Sequence, residues 1–417
     1  MESDFLQFLN ASLTPYHAVG YLAAQLQPAG FRHLEEADHW ELKPGDRAFV
    51  VRGGALVAFQ VGKRERGFRI ALGHTDSPSL KLKLADASGG SHGHPLRIPV
   101  EVYGGPIFST WLDRPLGVAG RIAAMTNDGP AAQLVDSEGA VAVIPNPPPH
   151  LVNLNGNFSY NPQEHLAAIF DADDLTSLLQ LLLSGTQIPG GQSPAAELFL
   201  YDPTPAQVIG ISSQPYVQAS RIDNLSSCHG IIQALLATED EQTTKVAALF
   251  NLEEVGRSFD SADSNFLPMV LRRIAAELDP AADAYERMLA DSQPMLSIDV
   301  AHALNPNFAN LFDSGYAPKV GGGPALKLNA QLRYATTVLG EAFFRAIAQK
   351  AEVPTQVFET RSDMPCGGTI GPVTAAKLGI LTIDLGIPIW AMHSLRETCS
   401  LADVDYLTRF VKAYWEI

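Results

Sequence analysis

Hydrophobic residues near the N-terminus have helical spacing that is interrupted once, at Thr14-Pro15. The spacing therefore predicts two short helices, followed by strands. Between Phe68 and Leu72 every second residue is large and apolar, which indicates a strand with His74 at its end. The helical faces carry Phe5, Leu9 and Leu13 before the break, and Ala18, Leu22 and Leu26 after it.

From residue 79 to residue 213 the pattern changes to short apolar runs separated by turn sequences such as HGHP, YGGP, NPPPH and GGQSP. Closely spaced glycines and prolines favour turns between short strands. We interpret this segment as a mostly-β domain inserted into the first domain, which then comprises residues 1–78 and 214–417.

After the insertion, strand-like and helix-like segments alternate. A helix opens near Asp223, apolar strands cover 246–250 and 295–298, and a helix begins near Ser400. Asn329 is the expected N-cap of another long helix that carries Leu332 and Phe343 on one stripe. This alternation predicts the α/β class, with a sheet that has helices on both faces.

Composition narrows the class of protein. The 417 residues carry a formal charge of −16, which argues against nucleic acid or an anionic membrane as a partner. No apolar run reaches the length of a spanning helix, and the N-terminal sequence lacks the features of a signal peptide. Three widely spaced cysteines do not suggest a disulfide framework, so we expect a cytoplasmic protein.

Acidic and imidazole groups fall at the ends of the apolar runs: His74, the pair Glu253-Glu254, Asp299 and His393. Ligands of open α/β sheets bind outside the carboxyl ends of the strands, so these distant residues can converge there. With Asp223 as a bridge, each of two cations would take a histidine and a carboxylate. This ligand mixture suits zinc, with cobalt or manganese as alternatives. The pattern predicts a two-metal hydrolase site.

Asp76 follows His74 by two residues, so in an extended chain both side chains point the same way. Its carboxylate could accept the second ring N–H of His74 and fix the tautomer. One of the adjacent glutamates would face the metals and the other the attacking water. The residues alone leave open which does which.

Each of these signals has a structural reading when it is taken alone. His74 could be a satisfied turn histidine, Asp223 a helix N-cap and His393 a core histidine. The HGH sequence at 92–94 is better read as a surface loop than as a metal site, and GGGP at 321–324 as a tight loop than as a phosphate cradle. Cys366 is better read as a buried small residue than as a nucleophile. The joint occurrence of the acids and histidines favours the metal site.

These residues resemble a known family. GHTDSPSLKLK, RIDNLSS, NLEEVGRS, SIDVAHALNPNF, GGGPALKLNAQLRYAT, MPCGGTIGP and MHSLRE are similar to motifs of the M18 metalloaminopeptidases, the aspartyl aminopeptidases. They recur in family order over nearly the whole chain, and bacterial members are the most similar in length. The resemblance implies removal of the N-terminal residue from peptides, with Asp or Glu preferred.

The resemblance also implies roles for individual residues. His74 and Asp299 would hold one zinc ion, Glu254 and His393 the other, and Asp223 would bridge them. The general base would be Glu253, with Asp76 orienting His74. A substrate-binding lysine of the family matches Lys327, and a histidine that reaches a neighbouring subunit matches His150.

The family further implies an inserted dimerisation domain and assembly of dimers into a tetrahedral dodecamer. One departure concerns His150, because relatives often have an arginine shortly after it and this chain reads HLVN. Two other function classes stay open: a related dinuclear carboxypeptidase or deacylase, and a non-catalytic shell protein.

Overall fold

The computed structural model describes residues 2–63, 67–89, 94–127, 129–153, 158–184, 195–211, 214–239 and 242–417. The chain forms two compact units. The first comprises residues up to Asp76, Ala206–Met392 and Glu397–Ile417, and the second comprises Ser77–Pro205 and His393–Arg396. The sequence analysis predicted that the insertion covers residues 79–213. It did not predict that residues 393–396 also belong to the second unit.

The described residues form strands in four sheets. The strands are β1 (Arg32–His33), β2 (Arg47–Arg52), β3 (Ala55–Gln60), β4 (Phe68–His74), β5 (Ser79–Leu82), β6 (Leu96–Tyr103), β7 (Gly117–Thr126), β8 (Gly129–Asp136), β9 (Ala142–Val143), β10 (Ala167–Phe170), β11 (Ala195–Tyr201), β12 (Gln207–Ile209), β13 (Tyr216–Ala219), β14 (Thr244–Phe250), β15 (Met295–Ile298), β16 (Ala301–His302), β17 (Ala325–Lys327), β18 (Gln356–Phe358), β19 (Thr382–Gly386), β20 (Pro388–Ile389) and β21 (Glu397–Ser400).

Helices belong mainly to the first unit, with α3 and α4 in the second. They are α1 (Glu2–Ala11), α2 (Pro15–Leu26), α3 (Pro162–His165), α4 (Leu175–Leu182), α5 (Ile222–Ala237), α6 (Phe266–Leu278), α7 (Ala284–Ala290), α8 (Val338–Ala351), α9 (Gly371–Leu378) and α10 (Leu401–Trp415). The two predicted N-terminal helices and the break between them are confirmed.

The first unit is built on a mixed nine-stranded sheet with the order β1-β2-β3-β14-β4-β15-β19-β17-β18. Its centre is parallel, because β4 pairs in parallel with β14 and β15, and β15 pairs in parallel with β19. These strands are buried along their whole length. The carboxyl ends of β14, β4 and β15 therefore lie side by side at one edge.

Helices cover both faces of this sheet, as the alternating pattern predicted. Alternate residues of β4 pack into different cores, with Ala71 on one face and Ile70 on the other. Helices α1, α2, α5, α8 and α10 contribute to the first core, and α6, α7 and α9 to the second. The α/β class of the first unit is confirmed.

The second unit contains an antiparallel seven-stranded sheet with the order β8-β7-β11-β5-β6-β10-β9. Its core includes Leu80, Ile98, Trp111, Val118 and Leu198. The prediction of a mostly-β insertion is confirmed, while its role in oligomerisation stays a prediction.

One predicted helix start was wrong. Helix α8 begins at Val338 and is capped by Thr337, whose hydroxyl accepts from the N–H of Gly340. The side-chain oxygen of Asn329 instead accepts from the N–H groups of Gln331 and Arg333. Asn329 therefore closes a separate turn, and Leu332 precedes the helix. Within the described residues, none of the helices combines the length and apolarity needed to cross a membrane.

His229 on α5 is a buried polar group that packs against Phe5 and Phe8 of α1. Neither of its ring nitrogens has a hydrogen-bond partner among the described residues. Burial lowers the pKa of His229 to about 4, with the charge of Asp4 opposing that shift. The imidazole is thus neutral in the folded chain at neutral pH.

We expect His229 to make the first unit sensitive to acid. The unfolded chain binds the proton near pH 6.5 and the folded chain only near pH 4. Protonation of His229 in the unfolded chain therefore costs no stability above pH 6.5, and it lowers the free energy of unfolding as the pH drops towards 4. Between pH 7.5 and pH 5, the free energy of unfolding should fall by about 2 kcal/mol less in His229→Leu than in the parent, as measured by urea unfolding. His39→Leu, at an exposed position, is the control. The same pH dependence in His229→Leu and the parent would contradict this assignment.

Candidate metal centre

The carboxyl ends of three neighbouring parallel strands carry the predicted acids and histidine. His74 is the last residue of β4, and Asp299 directly follows β15. Glu253 and Glu254 lie shortly beyond the end of β14. Since β4 pairs with both β14 and β15, its terminal imidazole lies between the two acidic segments.

The ring of His74 faces two carboxylates through a single nitrogen. Its Nε2 lies 3.5 Å from Oδ1 of Asp223 and 3.4 Å from Oδ1 of Asp299. One ligand atom each from His74, Asp223 and Glu254 lie within 4.8 Å of one another. The imidazole is buried, and so are both aspartates. The structure thus brings together four of the five predicted ligands.

Asp223 enters this cluster from the first turn of α5. Its backbone N–H donates to Oε2 of the buried Glu397 at 2.9 Å. The next side chain, Asn224, donates to the carbonyl of Ile298 at 2.8 Å, which ties the start of α5 to the end of β15. The helix is kinked at this point, because Asp223 and Asn224 have non-helical backbone angles.

Asp76 supports the cluster in a way that differs from the sequence expectation. Its two carboxylate oxygens accept from the backbone N–H groups of Glu253 and Glu254, each at 3.1 Å. The nearer neighbour of His74 Nδ1 is the backbone carbonyl of Asp76 at 3.1 Å, with the carboxylate at 3.5 Å. Asp76 therefore fixes the segment that carries both glutamates, while its predicted role of orienting His74 stays a prediction.

Crowding of acids changes the protonation of the centre. Burial would lower the pKa of His74, but hydrogen bonds to Asp299 and Asp76 outweigh it and raise that pKa well above its ordinary value. Burial raises the pKa of Glu253 to about 7, and the neighbouring aspartates act in the same direction. Burial would also raise the pKa of Asp299, but the charge of Lys327 and the contact with His74 lower it below its usual range.

The donor set fits a divalent cation. Asp223, Glu254 and Asp299 place carboxylates around one imidazole, and Lys327 contributes an ammonium with its Nζ 3.2 Å from Asp299. Buried carboxylates are costly unless they are paired or coordinate a metal. Oxygen and imidazole nitrogen ligands in this combination are typical of zinc sites.

Lys327 is positioned by a glycine-rich loop. The buried carboxylate of Asp403 accepts from the N–H groups of Gly321 at 2.6 Å and Gly323 at 2.8 Å, just before β17. Both glycines have φ of +87°, and a Cβ at Gly323 would lie 1.9 Å from the carbonyl of Pro354. Because these N–H groups donate to Asp403, they are not available to bind a phosphate. This agrees with the tight loop that the sequence predicted.

The last helix was predicted to begin near Ser400. Ser400 is the N-cap of α10.

Two predicted site residues belong to the second unit. His393 is half-buried with a φ of 67°, and its Nδ1 lies 3.2 Å from the carbonyl of Gly105. His150 lies exposed in a turn. The roles of both residues stay predictions. Of the HGH sequence, His92 lies outside the described residues and His94 is exposed.

The sequence analysis did not identify the backbone contacts of Glu397 and Asn224. It also did not identify the hydrogen bonds from the N–H groups of both glutamates to Asp76. Glu397 lies in LRETCS, where nothing in the local pattern distinguishes a backbone acceptor from a surface acid. Cys366, which was predicted to be buried, is only half-buried and packs on a small cluster with Tyr334 and Phe358.

The fold and its acid-lined centre are those of a metal-dependent peptidase, and comparison with known proteins specifies the family. The family model described as aminopeptidase I zinc metalloprotease (M18) matches residues 8–415. The chain therefore belongs to the M18 family of zinc aminopeptidases. This membership favours an aminopeptidase over the carboxypeptidases and deacylases that the residues alone left open.

Relatives and solved structures agree with this family. A probable M18 family aminopeptidase 2 of Pseudomonas paraeruginosa is 39% identical over 428 residues, which cover 100% of this chain and 98% of the relative. A cryo-EM structure of the Ape4 and Nbr1 complex matches with a TM-score of 0.92 and 34% identity, over 99% of this chain and 85% of that one. The mApe1 dodecamer of S. cerevisiae matches with a TM-score of 0.85 and 26% identity, over 99% and 96%.

We expect Asp76→Asn to weaken metal binding. The amide retains one acceptor oxygen, so one of the two backbone N–H groups of Glu253 and Glu254 loses its partner and the segment shifts. Affinity for zinc should fall about tenfold to a hundredfold, measured by competition with a chromophoric chelator. Asp38→Asn, at an exposed position, should leave affinity unchanged. Unaltered affinity in Asp76→Asn would show that this support is dispensable.

Proposed function

We propose that the chain is a two-metal aminopeptidase that removes an N-terminal Asp or Glu from peptides. The observation that carries the proposal is the position of His74 Nε2 between Asp223 and Asp299, with Glu254 in the same cluster. His74 and Asp299 would hold one ion, Asp223 would bridge, and Glu254 would hold the second ion. His393 would complete the second ion's ligands, by its match to the family motif.

Bound zinc ions would supply Lewis acidity, which polarises the scissile carbonyl and lowers the pKa of the attacking water. Cobalt or manganese would serve the same ligands. Glu253 would take the proton of that water and pass it to the leaving amine. Asp76 supports this role, because it holds the backbone N–H of Glu253. The neighbouring acids favour a protonated Glu253 after the first transfer.

Preference for an acidic first residue would come from Lys327. Its ammonium is buried and pairs with Oδ2 of Asp299 at 3.2 Å. An ammonium has three donors, so a second carboxylate can bind beside the first. The ring of Tyr334, whose centroid lies 5.3 Å from Nζ, limits where the lysine can move. This supports a fixed cation close to the ligands.

Self-association to dimers and to a tetrahedral dodecamer is part of the proposal. Its support is the family and the likeness to a structure described as a dodecamer. His150 would act on a neighbouring subunit's substrate, and its exposure in the second unit is compatible with that role. We also propose the cytoplasm as the compartment, since Cys228, Cys366 and Cys399 are free thiols.

The proposal predicts that Glu253→Gln abolishes turnover and spares metal binding. The amide cannot accept a proton from water, while the ligand residues are unchanged. Peptide hydrolysis should fall at least about a hundredfold, and zinc analysis of the purified protein should stay near two ions per chain. Glu35→Gln, at an exposed position, is the matched control. Substantial residual activity would remove Glu253 from the role of base.

Substrate choice is tested with aminoacyl amides of Asp, Glu, Ala, Leu and Arg, with N-acetylated Asp amide as the blocked control. Asp and Glu amides should be hydrolysed fastest, and the blocked amide and chelated enzyme should be inactive. Lys327→Met should reduce the ratio of Asp to Ala turnover at least about tenfold, because it removes the partner of the substrate carboxylate. A preference that survives this change would assign acidic recognition to another residue.

A further inference from the structure

A concave feature of the first unit is lined by residues in and after β16, β18 and β20. It is a cavity of about 370 Å³ with mostly apolar walls. Phe308 and Leu311 lie at its walls and are 56% and 46% exposed, so large apolar surfaces face solvent there. Exposed apolar surface of this kind marks binding sites. Other apolar lining residues are Phe312, Met364, Trp390 and Met392.

The cavity is linked to the metal centre through adjacent strands. Its wall residue Phe358 is the register partner of Lys327 in the parallel pair β17 and β18. The ring of Tyr334 lies 6.3 Å from that of Phe358 and 5.3 Å from Nζ of Lys327. Another lining residue, His302, follows Asp299 by three positions. The cavity wall therefore lies one strand away from the lysine that pairs with Asp299.

Charges around the cavity do not suit an acidic ligand. Asp313 and Glu359 are two acidic residues of its lining. The guanidinium of Arg361 is bonded to both carboxylate oxygens of Asp363, at 2.9 and 2.6 Å, and to the carbonyl of Asn310. Its positive charge is thus neutralised by Asp363. An acidic side chain would meet repulsion and apolar walls, whereas an uncharged apolar side chain would meet neither cost.

We propose that this cavity binds the side chain of the second residue of the peptide and favours a large apolar side chain there. This inference rests on the proposed function, in which Lys327 receives an acidic first side chain. A cavity of 370 Å³ with acidic groups in its lining is poorly matched to Asp or Glu. The next side chain along the peptide is therefore its occupant.

The test compares the dipeptide amides Asp-Phe, Asp-Ala and Asp-Glu with Asp amide, which has no second side chain. We expect kcat/KM in the order Asp-Phe, Asp-Ala, Asp-Glu, with about a tenfold step between the first two. Leu311→Ala and Phe308→Ala should each reduce the Asp-Phe to Asp-Ala ratio by about threefold or more. Leu339→Ala, at an exposed position on α8 outside the cavity, should leave that ratio unchanged.

Two results would overturn the inference. One is an equal loss on Asp amide and Asp-Phe amide in the cavity variants, which would assign the cavity to the first residue or to stability. The other is hydrolysis of Asp-Glu as fast as Asp-Phe.

A binding readout separates this inference from the proposed function. In the Glu253→Gln background, calorimetry should show that Asp-Phe-Ala binds more tightly than Asp-Ala-Ala, and that Leu311→Ala removes the difference. If the parent does not hydrolyse Asp amide, the proposed function fails, and this calorimetric difference still decides the cavity. Equal affinities for both tripeptides would reject it.

Discussion

The acids around His74 impose the main physical constraint on the first unit. Oδ1 of Asp223 and Oδ1 of Asp299 lie 3.5 and 3.4 Å from the same imidazole nitrogen, and all three residues are buried. Two carboxylates that both approach one nitrogen repel each other where water is excluded. Lys327 offsets part of the charge through Asp299. A divalent cation held by these ligands would offset more of it, in keeping with a family of zinc metalloproteases.

Such a site requires that the acids cannot move apart. In two of the three acidic segments the backbone is held by a carboxylate that is itself not a predicted ligand, and in the third the N–H of Asp299 donates to the carbonyl of Leu385. Glu397 accepts from the N–H of Asp223, and Asp76 accepts from those of Glu253 and Glu254. Hydrogen bonds to ionised acceptors are roughly twice as strong as neutral ones. These supports resist the repulsion between the acids, and they place additional negative charge near the centre.

The sequence predicts those parts of this arrangement that follow from local patterns, and it does not predict contacts between residues that lie far apart along the chain. The positions of His74 and Asp299 follow from apolar strands and from the rule that parallel strands share an edge. Asn329 and Thr337 are both good N-cap residues, and local preference does not choose between them. Tertiary context decides, because Asn329 closes its own turn. The role of Glu397 was not predictable, since its acceptor contact spans 174 positions of the chain.

In the proposed function, two adjacent strands carry the residue that selects charge and the residue that selects apolar character. Lys327 at the end of β17 pairs with Asp299, and Phe358 at the end of β18 lines the apolar cavity. Because these strands are parallel and in register, both side chains lie at the same level of the sheet. Tyr334 contacts both, so the cation and the apolar wall share one aromatic neighbour. A peptide crossing these two strands would meet a charged contact and an apolar one in succession, which would permit selectivity at two positions.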